Sequence, residues 1–280
     1  MSSSLPLTPA RARAGGPGSP AARPGVGAVL ILVTNDDGID AGGIRALGRA
    51  LAPLGEIYTV APDRERTAAG HALTLSRPLR ARAVGPRRFS VDGTPTDCVT
   101  LGVMRLLPRK PDLVASGINH GTNLGDDVTY SGTVSAAFEA TLLGIPAFAV
   151  SVDGCGRFRF QPAADFACAL ARRVLDEGLP RATLLNVNVP DLPTARIRGV
   201  AITRQGRREY REMIVEKADP RGRTYYWIGG ADPVWAPVPD SDAAALVAGR
   251  ISITPLHLDL THHRARAALR PWAERPWPWW

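Results

Sequence analysis

The chain has 280 residues, of which 45% are hydrophobic and 21% are charged, and its formal net charge at pH 7 is +8. This length can bury a sizeable core, and this composition excludes a wholly disordered chain. No uninterrupted apolar stretch approaches the ~20 residues that a membrane span requires, so we expect no membrane partner.

The first 27 residues are almost entirely Ala, Gly, Pro, Ser and Arg, and they lack the apolar segment of a secretory signal. We predict that 1–27 is a disordered tail. After it, an apolar run at 29–33 is typical of a strand covered on both faces, 44–54 has helical spacing, and 57–61 predicts a second strand. This order indicates a βαβ unit, which requires a parallel sheet.

The alternation of strands and helices continues to residue 189. Thr94 and Asp97 have capping-box spacing, with Pro95 at the first position of the helix that they would begin. Further strands are predicted at 113–115, 148–150 and 184–189, and further helices at 133–143 and 165–175. We therefore predict a three-layer α/β fold with a Rossmann-like, doubly wound and mainly parallel sheet.

The pattern changes after about residue 201. Two short runs, 212–215 and 224–228, flank a turn sequence at 219–222 and predict a β-hairpin, before a short helix at 240–248 and a last strand at 251–254. An exposed aromatic hairpin has open edges, which either its own subunit or a second chain can cover.

The positive charge is concentrated at the two ends of the chain. Residues 1–27 contain three arginines and no acid, and 262–280 contains four arginines and one glutamate, so 28–261 has a net charge of only +2. The three prolines of 262–280 predict that this Trp-rich tail contains no helix; it lies on the protein's own surface or offers an aromatic patch to a partner. We therefore expect no stable complex with nucleic acid, whose binding would weaken steeply with salt.

The three cysteines are Cys98, Cys155 and Cys168. An odd number without short paired spacing indicates neither a disulfide framework nor a zinc site. It is typical of the reducing cytoplasm, where we expect this protein.

Polar residues follow three of the predicted strands. The first strand is followed by Asp36 and Asp37, the second leads to Thr67, and the strand at 113–115 leads to Asn119. In an open parallel sheet, ligands bind at the carboxyl ends of the strands, so these oxygen atoms are expected at one edge. They suit Mg²⁺, Mn²⁺ or Ca²⁺, and a cation would remove the repulsion between adjacent carboxylates. The alternative for the aspartates is an Asx turn or a helix cap.

Small residues precede the helix predicted at 133–143. At a helix N-terminus, Ser131, Gly132 and Thr133 can present N–H groups to an anion, although plain capping explains them nearly as well. Beside a cation site, anion binding fits phosphate-ester chemistry. The sequence has no Walker motif and no G-x-G-x-x-G after its first strand, which disfavours binding of nucleoside triphosphates and dinucleotides.

Four segments of the chain carry most of these polar residues: VTNDDGI at 33–39, GTPTDC at 93–98, SGINHGTN at 116–123 and YSGTVS at 130–135. Together they resemble the signature segments of the SurE family, the stationary-phase survival proteins. The resemblance extends over 28–261 and implies a metal-dependent 5′-nucleotidase, a phosphoric monoester hydrolase. It also implies, in some members, activity on 3′-nucleotides and short polyphosphate.

The resemblance further implies roles for individual residues. One divalent cation per subunit, Mg²⁺, Mn²⁺ or similar, would be bound by Asp36, Asp37, Thr67 and Asn119. The phosphate group would be bound by Asn123, Ser131, Gly132 and Thr133. The hairpin region at about 201–230 would be exchanged between the subunits of a homodimer or homotetramer. Thr67 and Ala72 depart from the family, which usually has serine there; a threonine keeps the hydroxyl but is stiffer, so we expect a metal site of altered affinity.

We therefore predict a phosphomonoesterase that converts nucleoside 5′-monophosphates to nucleoside and phosphate. Asp36 and Asp37 are the candidate catalytic residues, with Asp36 the one to orient or deprotonate a water whose pKa the cation lowers. The alternative is a metal-dependent nucleotide-binding protein without activity, which only Thr67 favours. A covalent aspartyl-phosphate is disfavoured because the Asp-x-Asp spacing is absent.

Overall fold

The computed structural model describes residues 28–154, 156, 158–209, 214–228, 234–275 and 277–278. The predicted tail at 1–27, Cys155 and the first two residues of the predicted hairpin lie outside this part of the chain.

The described residues form strands and helices in the alternating order that the sequence predicts. In chain order they are β1 (Leu30–Thr34), α1 (Gly42–Leu51), β2 (Glu56–Pro62), β3 (Ala81–Gly85), β4 (Arg88–Val91), α2 (Pro95–Leu101), β5 (Leu113–His120), α3 (Gly132–Leu142), β6 (Ala147–Asp153), α4 (Phe160–Glu177), β7 (Thr183–Pro190), β8 (Val200–Ile202), β9 (Arg208–Glu209), β10 (Ile214–Ala218), β11 (Thr224–Ile228), β12 (Val234–Trp235), α5 (Asp242–Val247), β13 (Ile251–His257) and α6 (His263–Leu269). No helix among the described residues is long and apolar enough to cross a membrane.

Nine strands of the described part of the chain form the central sheet, in the order β3-β4-β2-β1-β5-β6-β7-β13-β8. The strands from β4 to β7 are parallel, whereas β3 is antiparallel to β4 and β13 is antiparallel to β7. This confirms the predicted α/β fold with a mainly parallel sheet. Because the chain leaves β1 toward β2 on one side and returns to β5 on the other, a crevice for ligands lies at the carboxyl ends of β1 and β5.

Alternate side chains of β1 pack on opposite faces of the sheet. Ile31 and Val33 belong to the core beneath α1 and α4, and Leu30 and Leu32 belong to the core beneath α2 and α3. All four are buried, which explains why the first predicted strand is a continuous apolar run rather than an alternating one.

Two local predictions at chain turns are confirmed. The Thr94 hydroxyl accepts a hydrogen bond from the Asp97 N–H at 3.1 Å, and the Asp97 carboxylate accepts one from the Thr94 N–H at 2.8 Å, which completes the capping box of α2. At the predicted turn, the Gly222 N–H donates to the Asp219 carbonyl at 2.9 Å and joins β10 to β11.

The prediction that 262–280 contains no helix is wrong. Helix α6 spans His263–Leu269 and ends before Pro271, and the His262 ring accepts a hydrogen bond from the Ala265 N–H at 3.1 Å. A proline disrupts a helix only where its ring would clash with the carbonyl of the preceding turn, and it is tolerated in a first turn. Pro271 accordingly lies at the start of the 3₁₀ turn Arg270–Glu274.

Candidate active site

The crevice between β1 and β5 contains a contact between candidate metal and phosphate ligands. The Thr133 hydroxyl donates a hydrogen bond to Oδ1 of Asp36 and lies 3.3 Å from Oδ1 of Asn119. Asp36 is 6% exposed and Thr133 is fully buried. The structure therefore brings together three predicted site residues, one each from the loop after β1, the end of β5 and the first turn of α3.

Gly132 allows α3 to lie close to Asp36, Asp37 and Asn119, which we call the corner of the crevice. A Cβ atom at residue 132 would lie 2.9 Å from Cβ of Asp36 and 3.1 Å from Cγ of Pro95. Ser131, next to it, caps the helix, since its hydroxyl accepts a hydrogen bond from the Val134 N–H at 3.1 Å. Capping uses the Ser131 oxygen, and the first-turn N–H groups of α3 lie beside Asp36.

Asp37 is the second carboxylate of the corner. Its Oδ1 lies 3.3 Å from Nδ1 of His120, while its Oδ2 is buried and has no hydrogen-bond partner among the described residues. Burial, and then the charge of Asp36, raise the pKa of Asp37 to about 7. Burial also raises the pKa of Asp36, although its hydrogen bond from Thr133 opposes this shift.

The oxygen atoms of Asp36, Asp37 and Asn119 have the chemistry that a divalent cation requires. Two crowded carboxylates with raised pKa values and one unsatisfied buried oxygen are what a divalent cation would stabilise, and the amide oxygen of Asn119 is a further hard donor. The described residues contain no group of three His, Cys, Asp or Glu side chains placed for a metal, so the site depends on amide or hydroxyl oxygens as well. The donor set fits Mg²⁺ or Mn²⁺.

His120 closes one side of the corner. Its ring stacks on Phe158 with 5.0 Å between centroids and an interplanar angle of 15°, and it lies 5.2 Å from the ring of Phe160. Burial lowers the pKa of His120, against the opposing charges of Glu65 and Asp36. The sequence does not predict the two phenylalanines as neighbours of His120, because they are separated from β5 by all of α3 and β6 and have no spacing that relates them to His120.

Thr67 lies near the corner but does not reach it through a hydrogen bond. The preceding Arg66 N–H donates to the Asp36 carbonyl at 2.7 Å, whereas the exposed Thr67 hydroxyl donates to the Glu65 carboxylate. No hydrogen bond in the described part of the chain joins Thr67 to Asp36, Asp37 or Asn119. Glu65 was also missed, although its charge contributes to the raised pKa of both aspartates and it belongs to a charged run directly after β2.

The loop that carries Thr67 is attached to α2 and α3. The Thr74 N–H and hydroxyl donate to the Asp97 carboxylate at 2.9 and 2.6 Å, and the His71 ring lies 3.0 Å from the Glu139 carboxylate. The hydrogen bond from His71 lowers the pKa of Glu139. These contacts hold the loop over the crevice.

Asn123 belongs to a separate buried network. Its side-chain amide donates to the Ser151 hydroxyl at 2.8 Å, and its carbonyl accepts hydrogen bonds from Asn186 and Asn188 at 2.8 and 3.0 Å. This network attaches the loop after β5 to β6 and β7. Among the described contacts, none joins Asn123 to Thr133.

Similarity to known proteins covers every residue of this corner. Residues 31–212 match the family model described as Survival protein SurE. The chain belongs to the SurE family. A 5′-nucleotidase SurE from Geobacter sulfurreducens is 59% identical over 243 residues, which are 86% of this chain and 93% of that protein. A 5′-nucleotidase SurE from Geotalea daltonii is 57% identical over 243 residues, which are 86% of this chain and 98% of its own.

A solved structure supports the same assignment. The crystal structure of the SurE protein from Aquifex aeolicus has a TM-score of 0.78 and 42% sequence identity, covering 88% of this chain and all of that one. The crevice of β1, β5 and α3 is therefore part of a SurE fold.

Proposed function

We propose that this SurE chain is a metal-dependent 5′-nucleotidase that hydrolyses nucleoside 5′-monophosphates to nucleoside and phosphate. The observation that carries the proposal is the buried pair Asp36 and Asp37, with Oδ2 of Asp37 unpartnered, directly beside the N-terminus of α3. Cation-binding oxygens next to a helix N-terminus are suited to a phosphate ester. The names of the Geobacter sulfurreducens and Geotalea daltonii relatives support the same activity.

Asp36, Asp37 and Asn119 would bind one divalent cation, with Thr67 as a further oxygen ligand once its hydroxyl leaves Glu65. When bound, such a cation polarises the phosphoryl group and lowers the pKa of a water. Beside it both aspartates would be charged, since burial raises the pKa of each and the charge of Asp36 raises that of Asp37 further.

The residues around the cation would orient the attacking water and bind the phosphoryl group. The hydrogen bond from Thr133 occupies Oδ1 of Asp36, which leaves Oδ2 to orient or accept a proton from the attacking water. The N–H groups of Gly132 and Thr133 would stabilise the charge that develops on the phosphoryl oxygens. Ser131 holds that turn in place through its cap, and Asn123 would contact the phosphate from the neighbouring loop.

Relaxed specificity and oligomerisation are part of the proposal. An open crevice at a sheet edge supports action on 3′-nucleotides and short polyphosphate as well. The ten residues of β10 and β11 are all exposed, with Tyr226 at 61% and Trp227 at 62%, and an exposed apolar surface of this kind marks a site of protein–protein contact. We assign this hairpin to exchange between the subunits of a homodimer or homotetramer.

Cys98 and Cys168 are free thiols, which supports a cytoplasmic location.

Phosphate release by the full chain tests the activity. We expect purified protein to hydrolyse AMP with Mn²⁺ or Mg²⁺ and to lose this activity in EDTA, with recovery when metal is restored. A panel of 5′-AMP, 3′-AMP and tripolyphosphate against both metals measures the specificity. AMP binding with Mn²⁺ but no phosphate release with any metal would instead establish the non-catalytic nucleotide-binding protein.

A further inference from the structure

A second charged feature lies at the same edge of the sheet as the aspartates. Arg64, Arg77, Arg80 and Arg82 line a groove of 460 Å³ together with Asp63, Ser90 and Asp92. We call this the basic groove. Its volume lies within the range of small-molecule sites. The four arginines come from the loop between β2 and β3 and from β3 itself. They are therefore not simply the charged face of a single helix or strand.

Strand directions place the basic groove beside the candidate active site. The Arg80 N–H donates to Oδ1 of Asp92 at 2.8 Å, so β3 begins where β4 ends. Because β4 is parallel to β2 and β2 to β1, these positions lie at the same edge as Asp36. Asp36 lies far in the sequence from the start of β3 and the end of β4, and the pairing of strands in the sheet brings these positions to one edge.

Arg66 connects the two sites directly. Its N–H donates to the Asp36 carbonyl at 2.7 Å, while its guanidinium donates to Oδ1 of Asp63 at 3.4 Å and to the Asp92 carbonyl at 3.2 Å. Its Nε is buried and has no acceptor among the described residues. A single residue therefore contacts both the backbone of Asp36 and two residues that line the basic groove.

The positive charge of the groove is only partly neutralised. Asp63 lies 3.7 Å from Arg64, and Asp92 lies 3.2 Å from Arg77. Arg80 and Arg82 are exposed and form no ion pair with any described carboxylate. Two guanidinium groups are thus available to bind an anion on this side of the crevice, although the charge of Arg80 also contributes to lowering the pKa of Asp92.

The lining indicates which kind of anion this is. Guanidinium groups form paired hydrogen bonds with phosphate oxygens, and no aromatic side chain lines the groove to stack on a base. We propose that the basic groove is a subsite for a second phosphate group on the substrate, so that a nucleoside bisphosphate is hydrolysed in preference to a monophosphate. This inference rests on the proposed nucleotidase activity and names Arg80 and Arg82 as specificity-determining residues.

The experiment compares the kcat/KM values for adenosine 3′,5′-bisphosphate and AMP at one metal concentration and ionic strength. We expect the wild-type ratio to favour the bisphosphate by about tenfold or more, the size of one or two charge-assisted hydrogen bonds. The double variant Arg80→Gln/Arg82→Gln should lower this ratio about tenfold. Both side chains are exposed, so folding should be retained, which circular dichroism checks. A 5′-phosphorylated dinucleotide tests whether a phosphodiester serves as the second group.

Arg173→Gln is the matched control, because it removes an exposed arginine of α4 whose ion pair, among the described residues, is with Glu177 at 3.5 Å. It should leave the ratio unchanged. A wild-type ratio near one, or an equal ratio in the double variant, would overturn the subsite while leaving the nucleotidase intact. If no nucleotide is hydrolysed, the nucleotidase proposal fails. Calorimetry then measures how tightly the wild type and the double variant bind the bisphosphate. Equal affinities would overturn the subsite.

Discussion

The hydroxyl of Thr133 donates its hydrogen to Oδ1 of Asp36 and thereby joins the first turn of α3 to the loop after β1. The same oxygen lies 3.3 Å from Oδ1 of Asn119. Thr133, which the sequence predicts to bind phosphate, thus orients Asp36, a predicted metal ligand, and lies beside Asn119, a second one. Its removal should therefore affect catalysis more than folding.

We expect Thr133→Val to lower kcat for AMP by about 10²-fold, because Asp36 loses the hydrogen bond that holds its carboxylate. Steady-state kinetics at saturating Mn²⁺ measures this. Thr141→Val on the same helix is the control, since its hydroxyl donates only to the Ala137 carbonyl at 2.8 Å and lies away from the crevice. Equal kcat values for the two variants would contradict a positioning role for Thr133.

Gly132→Ala should reduce both activity and stability. The new Cβ would lie 2.9 Å from Cβ of Asp36, so α3 or the β1 loop must shift, at a cost of about 1–3 kcal/mol. Gly48→Ala is the matched helical control, because its nearest neighbour would be 4.0 Å away and alanine favours a helix. Urea unfolding distinguishes the two. A Gly132→Ala protein as stable and active as Gly48→Ala would show that the close approach is not required.

The pKa of Asp37 predicts how stability depends on pH without metal. A carboxyl whose pKa rises from its ordinary value to about 7 on folding contributes most stability below its unfolded pKa, and this contribution is lost as the pH rises toward 7. In EDTA, we expect Asp37→Asn to lose less stability than wild type between pH 5 and pH 8, by on the order of a few kcal/mol. Denaturant unfolding at both pH values measures this.

Glu177→Gln, an exposed acid at the end of α4, serves as the control for that comparison and should match wild type. Addition of Mn²⁺ should reverse the wild-type trend, because the cation stabilises the charged carboxylates. An identical pH dependence in wild type and Asp37→Asn would disprove the assignment of this shift to Asp37.

Thr67 can be tested as a metal ligand through its hydroxyl. Thr67→Ser should preserve Mn²⁺ affinity, and Thr67→Ala should weaken it by about tenfold if the hydroxyl binds the cation after leaving Glu65. Calorimetric titration of metal-free protein with Mn²⁺ measures the affinity directly. If both variants bind as tightly as wild type, Thr67 is not a ligand and the site consists of Asp36, Asp37 and Asn119.

The exposed hairpin predicts a concentration-dependent assembly. Trp227→Ser with Ile228→Ser should shift the protein toward the monomer in light scattering after size exclusion, since these side chains are 62% and 81% exposed in the single chain. Val247→Ser is a control for the loss of an exposed apolar group on α5, where the valine is 88% exposed. A hairpin variant with the mass of wild type would remove the hairpin from the interface.

Local sequence patterns are sufficient to predict an element where a few consecutive residues determine its structure. The apolar run of β1, the capping box at Thr94 and Asp97 and the turn at Asp219 each depend on neighbours within four positions, and each was predicted. The β3–β4 pair was not, because the exposed residues of β3 and the partly buried residues of β4 lack an apolar pattern and are held by pairing with the rest of the sheet. Helix α6 forms where the sequence predicts no helix, because a proline disrupts only the turn that contains it and Pro271 follows the helix.

The sequence alone determined the α/β fold, the SurE resemblance and the identity of the acids and hydroxyls at the strand ends, because these depend on residue order. Only the tertiary structure decided how those groups meet: that Gly132 is needed for contact with Asp36, that Thr67 instead contacts Glu65, and that the arginines of β3 lie beside the crevice. The reason is that burial and strand pairing join residues that are as many as 117 positions apart, and no local pattern records such distances.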